Sequence, residues 1–161
     1  MKKLVALGAA LFLGPLLATA HEEAAMPPDH GMIAPEDIQW QAGPPALPAG
    51  AKIAVLEGSP AQEGLFTMRA WAPAGYQIPP HWHAAFEHVT VISGTAGLGM
   101  GDVFDKAAGQ TLPAGGFAYM APGKHHFFWA ESEVVIQIHA MGPWQLYYVN
   151  PADDPRAAMQ P

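Results

Sequence analysis

Short apolar runs follow one another along the middle of the chain, each bounded by glycine or proline. Within them, apolar and polar residues mostly alternate, which places successive side chains on the two faces of a strand. No window shows the wider spacing of a helical stripe, and residues 102–108 could form at most one turn. Many short strands at this spacing indicate an all-β closed barrel or sandwich. The pattern predicts strands at residues 52–57, 65–72, 87–93, 95–100, 110–112, 117–120, 125–130, 134–140 and 144–149.

The N-terminal end of the chain has a different composition. Residues 1–20 begin with a positively charged region, continue as an apolar run and end in Ala18-Thr19-Ala20, which is typical of a secretory signal peptide. The apolar run is shorter than the roughly twenty residues of a membrane span. We therefore expect cleavage after Ala20, a periplasmic or secreted protein that starts at His21, and no stable membrane insertion after cleavage. A retained membrane anchor is the alternative.

Proline, alanine and glycine are frequent in residues 21–50, which we interpret as an N-terminal arm. The arm either tethers the domain or wraps around it, with an apolar anchor at residues 38–40. Residues 51–150 are predicted to form the β-domain, and residues 151–161 a C-terminal tail.

Charge and cysteine content narrow the possible functions. Without residues 1–20, five Lys and Arg remain against fourteen Asp and Glu. Such a surface repels nucleic acid and anionic lipid, so nucleic-acid binding is not expected. There are no cysteines, which excludes disulfides and thiolate metal sites. Any metal must therefore be held by histidine and carboxylate side chains.

The segment His81-Trp82-His83 places two imidazoles two residues apart. If this segment is a strand, both rings point to the same side. Glu87 reaches the same space if a tight turn follows His83. Two imidazoles and one carboxylate suit a divalent transition metal and leave coordination positions open. The histidine pair alone is also compatible with a structural role, because such pairs are common.

The wider spacing resembles the cupin superfamily. The residues that match its first motif without a gap are Gly75, His81, His83, Glu87 and Gly94. Residues 115–126 resemble the second motif. The resemblance covers about residues 52–149 and implies a small single-domain cupin, a jelly-roll β-barrel with one mononuclear metal site. The metal ligands that it implies are His81, His83, Glu87 and His126.

The second motif leaves two points open. His125 and His126 face opposite sides of the predicted strand, so only one can be a ligand, and the motif register selects His126. Ala121 stands where cupins usually have proline, and the usual asparagine at the end of the motif is absent. Neither position is a ligand in the family, but the turn or a backbone hydrogen bond is put in doubt. The alternative is a degenerate cupin whose histidines only form hydrogen bonds in a small cavity.

The side chains that point into the barrel decide its chemistry. Val89 and Val91 share the parity of Glu87 and are expected to line an apolar floor. An apolar cavity beside an open metal suits a small organic ligand or dioxygen. Further bulky residues expected around the cavity are Met68, Met100, Met120, Phe117, Tyr119, Phe128 and Trp129.

Polar candidates inside the barrel are few. Gln137 and His139 share one face of the strand predicted at residues 134–140, and an inward face would make His139 a catalytic proton donor. The alternate positions 134, 136 and 138 are more apolar, which favours an outward His139. His88 is expected outside the barrel. No arginine adjoins the motifs, which weakens sugar-nucleotide epimerase and phosphosugar isomerase functions that need an anion clamp.

Three functions are compatible with these features. The open metal positions and the apolar cavity favour a metal-dependent oxygenase-type enzyme, such as a dioxygenase, that acts on a small organic molecule. The lack of an obvious acid–base pair favours a non-catalytic protein that binds or senses a small ligand or metal. A storage protein with a vestigial site is the third. The ligands accept one divalent ion of Fe, Mn, Ni, Co, Cu or Zn, and a homodimer would be in keeping with the family.

Overall fold

The computed structural model describes residues 30–159, so the predicted signal peptide at residues 1–20 lies outside the described residues. The chain divides into two compact units, residues 1–32 and 33–161. The described part of the first unit, residues 30–32, is exposed and forms no regular element. In the described part of the chain, no helix is long and apolar enough to cross a membrane.

The second unit is built from short strands joined by turns. Within the described residues these are β1 (Gln41–Ala42), β2 (Lys52–Glu57), β3 (Gly64–Ala72), β4 (Gln77–Trp82), β5 (Glu87–Ser93), β6 (Thr95–Met100), β7 (Gln110–Pro113), β8 (Phe117–Met120), β9 (His126–Ala130), β10 (Val134–Gly142) and β11 (Tyr147–Tyr148). Short 3₁₀ helices lie at Pro35–Asp37, Lys106–Ala108, Pro151–Asp153 and Pro155–Met159. Each strand predicted from the sequence has a counterpart, although only Tyr147–Tyr148 of the segment predicted at residues 144–149 is paired.

The strands form two antiparallel sheets that share one core. The first has six strands in the order β1-β2-β3-β10-β5-β8, and the second has five in the order β11-β4-β9-β6-β7. Their inner faces meet in one apolar cluster, to which Phe66 and Val89 contribute from the first sheet and Ala96 and Phe128 from the second. This architecture confirms the all-β jelly-roll barrel that the sequence predicts.

The apolar pattern does not predict the short β1, and it also misses β4, because Pro79 and Pro80 interrupt that strand. In the sheet, β4 pairs with β9 at Ile78 and again at His81, with a register shift between the two positions. The prolines occupy this irregular stretch, where a residue that lacks an N–H group costs no ladder hydrogen bond. The strand therefore continues through both prolines to the first histidine.

Side-chain alternation on the inner strands follows the predicted parity. On β5, Glu87, Val89 and Val91 are buried while His88 is exposed. On β10, positions 134, 136, 138 and 140 are buried, and the positions between them are only partly buried. The predicted apolar floor beside Glu87 is thus confirmed.

Strand β9 is buried on both faces. Phe128 points to the core, whereas Phe127 and Trp129 lie outside the cluster and pack against Phe104, with ring centroids 5.0 and 6.4 Å away. A Cβ atom on Gly97 or Gly99 of the neighbouring strand would overlap the rings of Trp129 and Phe127, respectively. Glycine at these two positions lets the large rings lie flat on the barrel wall.

Four of the bulky residues expected around the cavity lie elsewhere. Phe117 and Tyr119 are 56% and 65% exposed, because Ala118 and Met120 take the inward positions of β8. Met100, the last residue of β6, is 50% exposed. Trp129 is buried, but on the outer side of β9. The expectation was wrong because it considered only the size of each side chain. It ignored the alternation along a strand, which determines the face to which each side chain points.

Residues 41–48 of the N-terminal arm pack against the barrel. Strand β1 pairs with β2, and residues 44–47 cover one end of the central cavity. Two tyrosines hold this segment: the Tyr76 hydroxyl donates to the Pro48 carbonyl at 2.7 Å, and the Tyr148 hydroxyl to the Ala46 carbonyl at 2.8 Å. The anchor lies there and not at residues 38–40, where Trp40 is exposed.

Candidate metal centre

Four buried polar side chains come together from three strands and one turn. His81 is the last residue but one of β4, and His83 follows that strand directly. Glu87 is the first residue of β5, and His126 is the first residue of β9. His81 and His126 are direct partners in the β4–β9 ladder. The register of this ladder therefore brings together two ligands that are far apart in sequence.

The four side chains face one point. Histidines 81, 83 and 126 each offer a ring nitrogen, and these nitrogens lie within 4.8 Å of one another. The Glu87 Oε2 atom lies 3.2 Å from His126 Nε2 and 3.6 Å from His83 Nε2. The structure thus brings together all four residues that the resemblance to cupins implies as ligands.

Backbone carbonyls set the tautomer of each histidine. The Nδ1 atoms of His81, His83 and His126 lie 2.8, 2.7 and 2.9 Å from the carbonyl oxygens of residues 79, 145 and 124. A carbonyl oxygen can only accept, so each Nδ1 carries the proton and donates it. In a neutral ring, Nε2 then holds the lone pair, which is the form that binds a metal.

The buried Nε2 lone pairs of the histidines favour the binding of a cation. His83 Nε2 is buried and has no hydrogen-bond partner among residues 30–159. The His126 Nε2 lone pair faces a carboxylate oxygen 3.2 Å away, an unfavourable contact unless a positive centre lies between them. Three imidazole nitrogens and one carboxylate oxygen are a suitable donor set for a divalent transition metal. The histidine triad could hold a metal ion, with Glu87 within reach of it.

Burial and the closeness of the four side chains shift the pKa values of His81, His83 and Glu87. Burial, with the adjacent His126 and His83, lowers the pKa of His81 to about 3. Burial also lowers the pKa of His83. Burial alone would raise the pKa of Glu87, but the nearby His83 and His126 outweigh it and hold this pKa at about 2. At neutral pH His81 and His83 are therefore neutral and Glu87 is charged, which complements a divalent cation.

The site opens into an apolar cavity of about 540 Å³. Met68, Val89 and Phe128 line it, as the sequence predicts, together with Ile136 and Ile138. The arm and the loop after β10 cover it. Polar or hydrogen-bonding side chains in its wall, apart from the four candidate ligands, are Trp71, Tyr76, Trp144, Gln145 and Arg156.

None of these residues was anticipated from the sequence as part of the cavity. Trp144 stacks on His83, with ring centroids 4.1 Å apart and planes 15° apart. Arg156, from the predicted tail, reaches the cavity wall, donates to the Leu146 carbonyl at 3.1 Å and pairs with Asp154 at 2.7 Å. No local signal could have found either one, because both reach the site through contacts between segments distant in sequence.

Several solved structures share this architecture. No family model matches the sequence, and no curated protein is significantly similar to it. The polyketide cyclase RemF from Streptomyces resistomycificus is 15% identical, with a TM-score of 0.61 over 82% of this chain and 94% of that one. A candidate acetylacetone dioxygenase from Methylibium petroleiphilum is 21% identical, with a TM-score of 0.61 over 81% and 88%. An RmlC-like cupin from Shewanella frigidimarina is 16% identical, with a TM-score of 0.55 over 71% and 94%.

The chain has the cupin fold. The identities to these structures are too low to carry over an activity, so they show the fold alone. Within the cupin barrel, the second motif forms its turn without the usual proline. Lys124 N donates to the Ala121 carbonyl at 3.0 Å, and Gly123 N donates to the His83 carbonyl at 2.8 Å. The second bond ties the two cupin motifs together beside the metal ligands.

The remaining described histidines of the barrel lie outside the cavity. His125 points away from His126, and its Nδ1 is 2.6 Å from the Asp102 carboxylate. His88 is exposed. His139 lies on the outer face of β10, where Nδ1 is 3.0 Å from Thr67 Oγ1 and Nε2 is 3.0 Å from Gln137 Nε2. The inward orientation that would make His139 a catalytic proton donor is therefore wrong, since β10 turns its more apolar positions inward.

The low pKa of His81 makes the stability of the metal-free cupin depend on pH. The folded state keeps this ring neutral down to about pH 3, whereas the unfolded chain protonates it near 6.5. Between these values the unfolded state binds more protons, so the free energy of unfolding should fall as the pH is lowered from 6.5, by at most about 1.4 kcal/mol per pH unit for this ring. Urea denaturation of chelator-treated protein at pH 7, 6 and 5 measures this slope.

The matched variants are His81→Asn, which removes the ring, and His88→Ala, which removes an exposed one. The slope should be shallower in His81→Asn and should change less in His88→Ala. An equal slope in wild type and His81→Asn would contradict the assignment.

Proposed function

We propose that this protein is a mononuclear metal-dependent enzyme of the oxygenase type that acts on a small organic molecule. The observation that carries the proposal is the convergence of three imidazole nitrogens and the Glu87 carboxylate at an apolar cavity. His81, His83, Glu87 and His126 would hold the ion. When bound, a divalent transition ion supplies Lewis acidity and, if it is redox-active, electron exchange with dioxygen.

The donor set supports an open site. Four protein ligands would leave positions vacant on an ion that prefers five or six, and a small molecule in the adjoining cavity could fill them. The carbonyl bonds to the three Nδ1 atoms hold the rings in place, so little reorganisation is needed when the ion binds.

The cavity wall supports a substrate with an apolar body. Side chains such as Met68, Val89 and Phe128 exclude water and offer no hydrogen bonds. A volume of about 540 Å³ accommodates a small organic molecule beside the ion. A polyketide cyclase and a candidate acetylacetone dioxygenase share the fold, and their names are in keeping with this class of substrate.

The second candidate function is a cupin that binds a small ligand or a metal without turnover. The observation that favours it is the scarcity of acid–base groups in the cavity wall. The Tyr76 hydroxyl donates to the Pro48 carbonyl, and Arg156 is paired with Asp154. Among the described residues, the metal ligands are then the main groups left for proton transfer.

Metal analysis followed by oxygen-uptake assays separates the two functions. Protein recovered from its native compartment should contain about one redox-active metal ion per chain and consume oxygen with small phenols, diketones or dicarboxylates. The His83→Ala variant should lose both properties, because it removes a ligand, while His88→Ala, one residue from Glu87 but exposed, should keep both. Stoichiometric zinc without oxygen consumption would contradict the oxygenase and support the binding protein.

We also propose that the protein is exported, on the basis of the charged start, apolar run and Ala18-Thr19-Ala20 site in residues 1–20. Export without a twin-arginine signal implies that the metal is acquired outside the cytoplasm, where copper and zinc compete strongly for such ligands. The intact mass of protein from the periplasm or medium should correspond to a chain that starts at His21. A chain that keeps residues 1–20 and stays in the cytoplasm would contradict this proposal.

A further inference from the structure

Two buried side-chain nitrogens in the described part of the chain lack a hydrogen-bond partner, and the two rings that carry them are stacked on each other. They are His83 Nε2 and Trp144 Nε1. The two rings stack at 4.1 Å with only 15° between their planes, and both residues line the cavity. The unsatisfied atoms therefore lie on two adjacent rings of one site and can be explained together.

The two nitrogens need opposite partners. His83 Nδ1 donates to the Gln145 carbonyl at 2.7 Å, so Nε2 holds a lone pair and needs a cation. An indole nitrogen is a donor only, so Trp144 Nε1 needs an acceptor. A buried N–H group without a partner is costly, and few native proteins leave one unexplained. An acceptor atom on a ligand of the metal would satisfy the indole.

Trp144 is held in place and does not need to move to meet such a ligand. Its ring stacks on His83 and makes an edge contact with Phe66, with centroids 5.8 Å apart. Its backbone N–H donates to the Pro60 carbonyl at 2.7 Å. A donor held on both sides of its ring is arranged in advance for binding.

Two other donors in the cavity wall, on Tyr76 and Arg156, already have partners, and Gln145 is exposed. The Tyr76 hydroxyl donates to the Pro48 carbonyl. Arg156 donates through Nε and Nη2 to the Asp154 carboxylate and through Nη2 to the Leu146 carbonyl. The Trp144 N–H group is the donor beside the metal ligands that has no such partner among residues 30–159.

We propose that Trp144 is a specificity-determining residue whose Nε1–H group donates a hydrogen bond to an anionic oxygen of the molecule bound at the metal. This inference rests on the metal site of the proposed function. A divalent ion and the Glu87 carboxylate leave one positive charge, which favours an anionic ligand. The ligand class is therefore a small carboxylate, enolate or phenolate with an apolar body that fits the cavity walls.

The Trp144→Phe variant tests this role because it keeps an aromatic ring to stack on His83 and removes only the N–H group. Trp82→Phe is the matched control, since Trp82 also stacks on an aromatic ring, that of Tyr147 at 4.4 Å, and does not line the cavity. Each variant is loaded with Co²⁺, and its visible absorption is titrated with benzoate, which has a second oxygen for the indole, and with imidazole, which has no acceptor once bound.

Benzoate should bind about tenfold more weakly to Trp144→Phe than to wild type, as expected for the loss of a hydrogen bond to a charged group. Imidazole affinity and cobalt affinity should change less than about twofold, and Trp82→Phe should match wild type in all three. Unchanged benzoate affinity in cobalt-loaded Trp144→Phe would overturn the inference and leave the metal site standing. An equal loss for benzoate and imidazole would also overturn it, because Trp144 would then only position His83. Wild-type protein that takes up no cobalt would overturn the proposed function, and this inference with it.

Discussion

Three hydrogen bonds from histidine Nδ1 atoms to backbone carbonyls determine what this barrel can do. They fix the tautomer of histidines 81, 83 and 126 and direct three lone pairs towards one buried site. The Glu87 carboxylate lies beside them, with Oε2 3.2 Å from His126 Nε2. Without a cation this arrangement sets lone pairs against a carboxylate, so the site is built for a positive ion.

The surrounding strands and loops hold the histidines and their carbonyl partners in position. The β4–β9 ladder passes through an irregular stretch at Pro79 and Pro80 and then pairs His81 with His126. The Gly123 N–H group binds the His83 carbonyl and joins the second motif to the first. The loop after β10 supplies both the Gln145 carbonyl and the Trp144 ring that hold His83. The arm, held by two tyrosine hydroxyls, covers the cavity.

The sequence alone predicted the features that depend on residues close together in the chain. Alternation on β5 and β10 predicted the buried positions, and motif spacing indicated His126 over His125. The sequence-based predictions failed where the direction of a side chain, or a contact between segments distant in sequence, determines the structure. Phe117 and Tyr119 are large, but their side chains lie on the outer face of β8. Strand β4 was not predicted, because it contains two prolines. Trp144 and Arg156 reach the cavity only through the folded barrel, so no local pattern could place them. Residue identity indicated the ligands, whereas the second sphere of contacts depends on the tertiary structure.

The metal content of two adjacent variants tests the central claim most directly. His126→Ala removes a ring whose Nε2 lies 3.2 Å from Glu87 Oε2, whereas His125→Ala removes the neighbouring ring that pairs with Asp102 on the outside. After equal exposure to Co²⁺ and dialysis, His125→Ala should retain about one ion per chain, as wild type does, and His126→Ala should bind at least about tenfold more weakly. Full metal retention by His126→Ala, or loss confined to His125→Ala, would contradict the site described here.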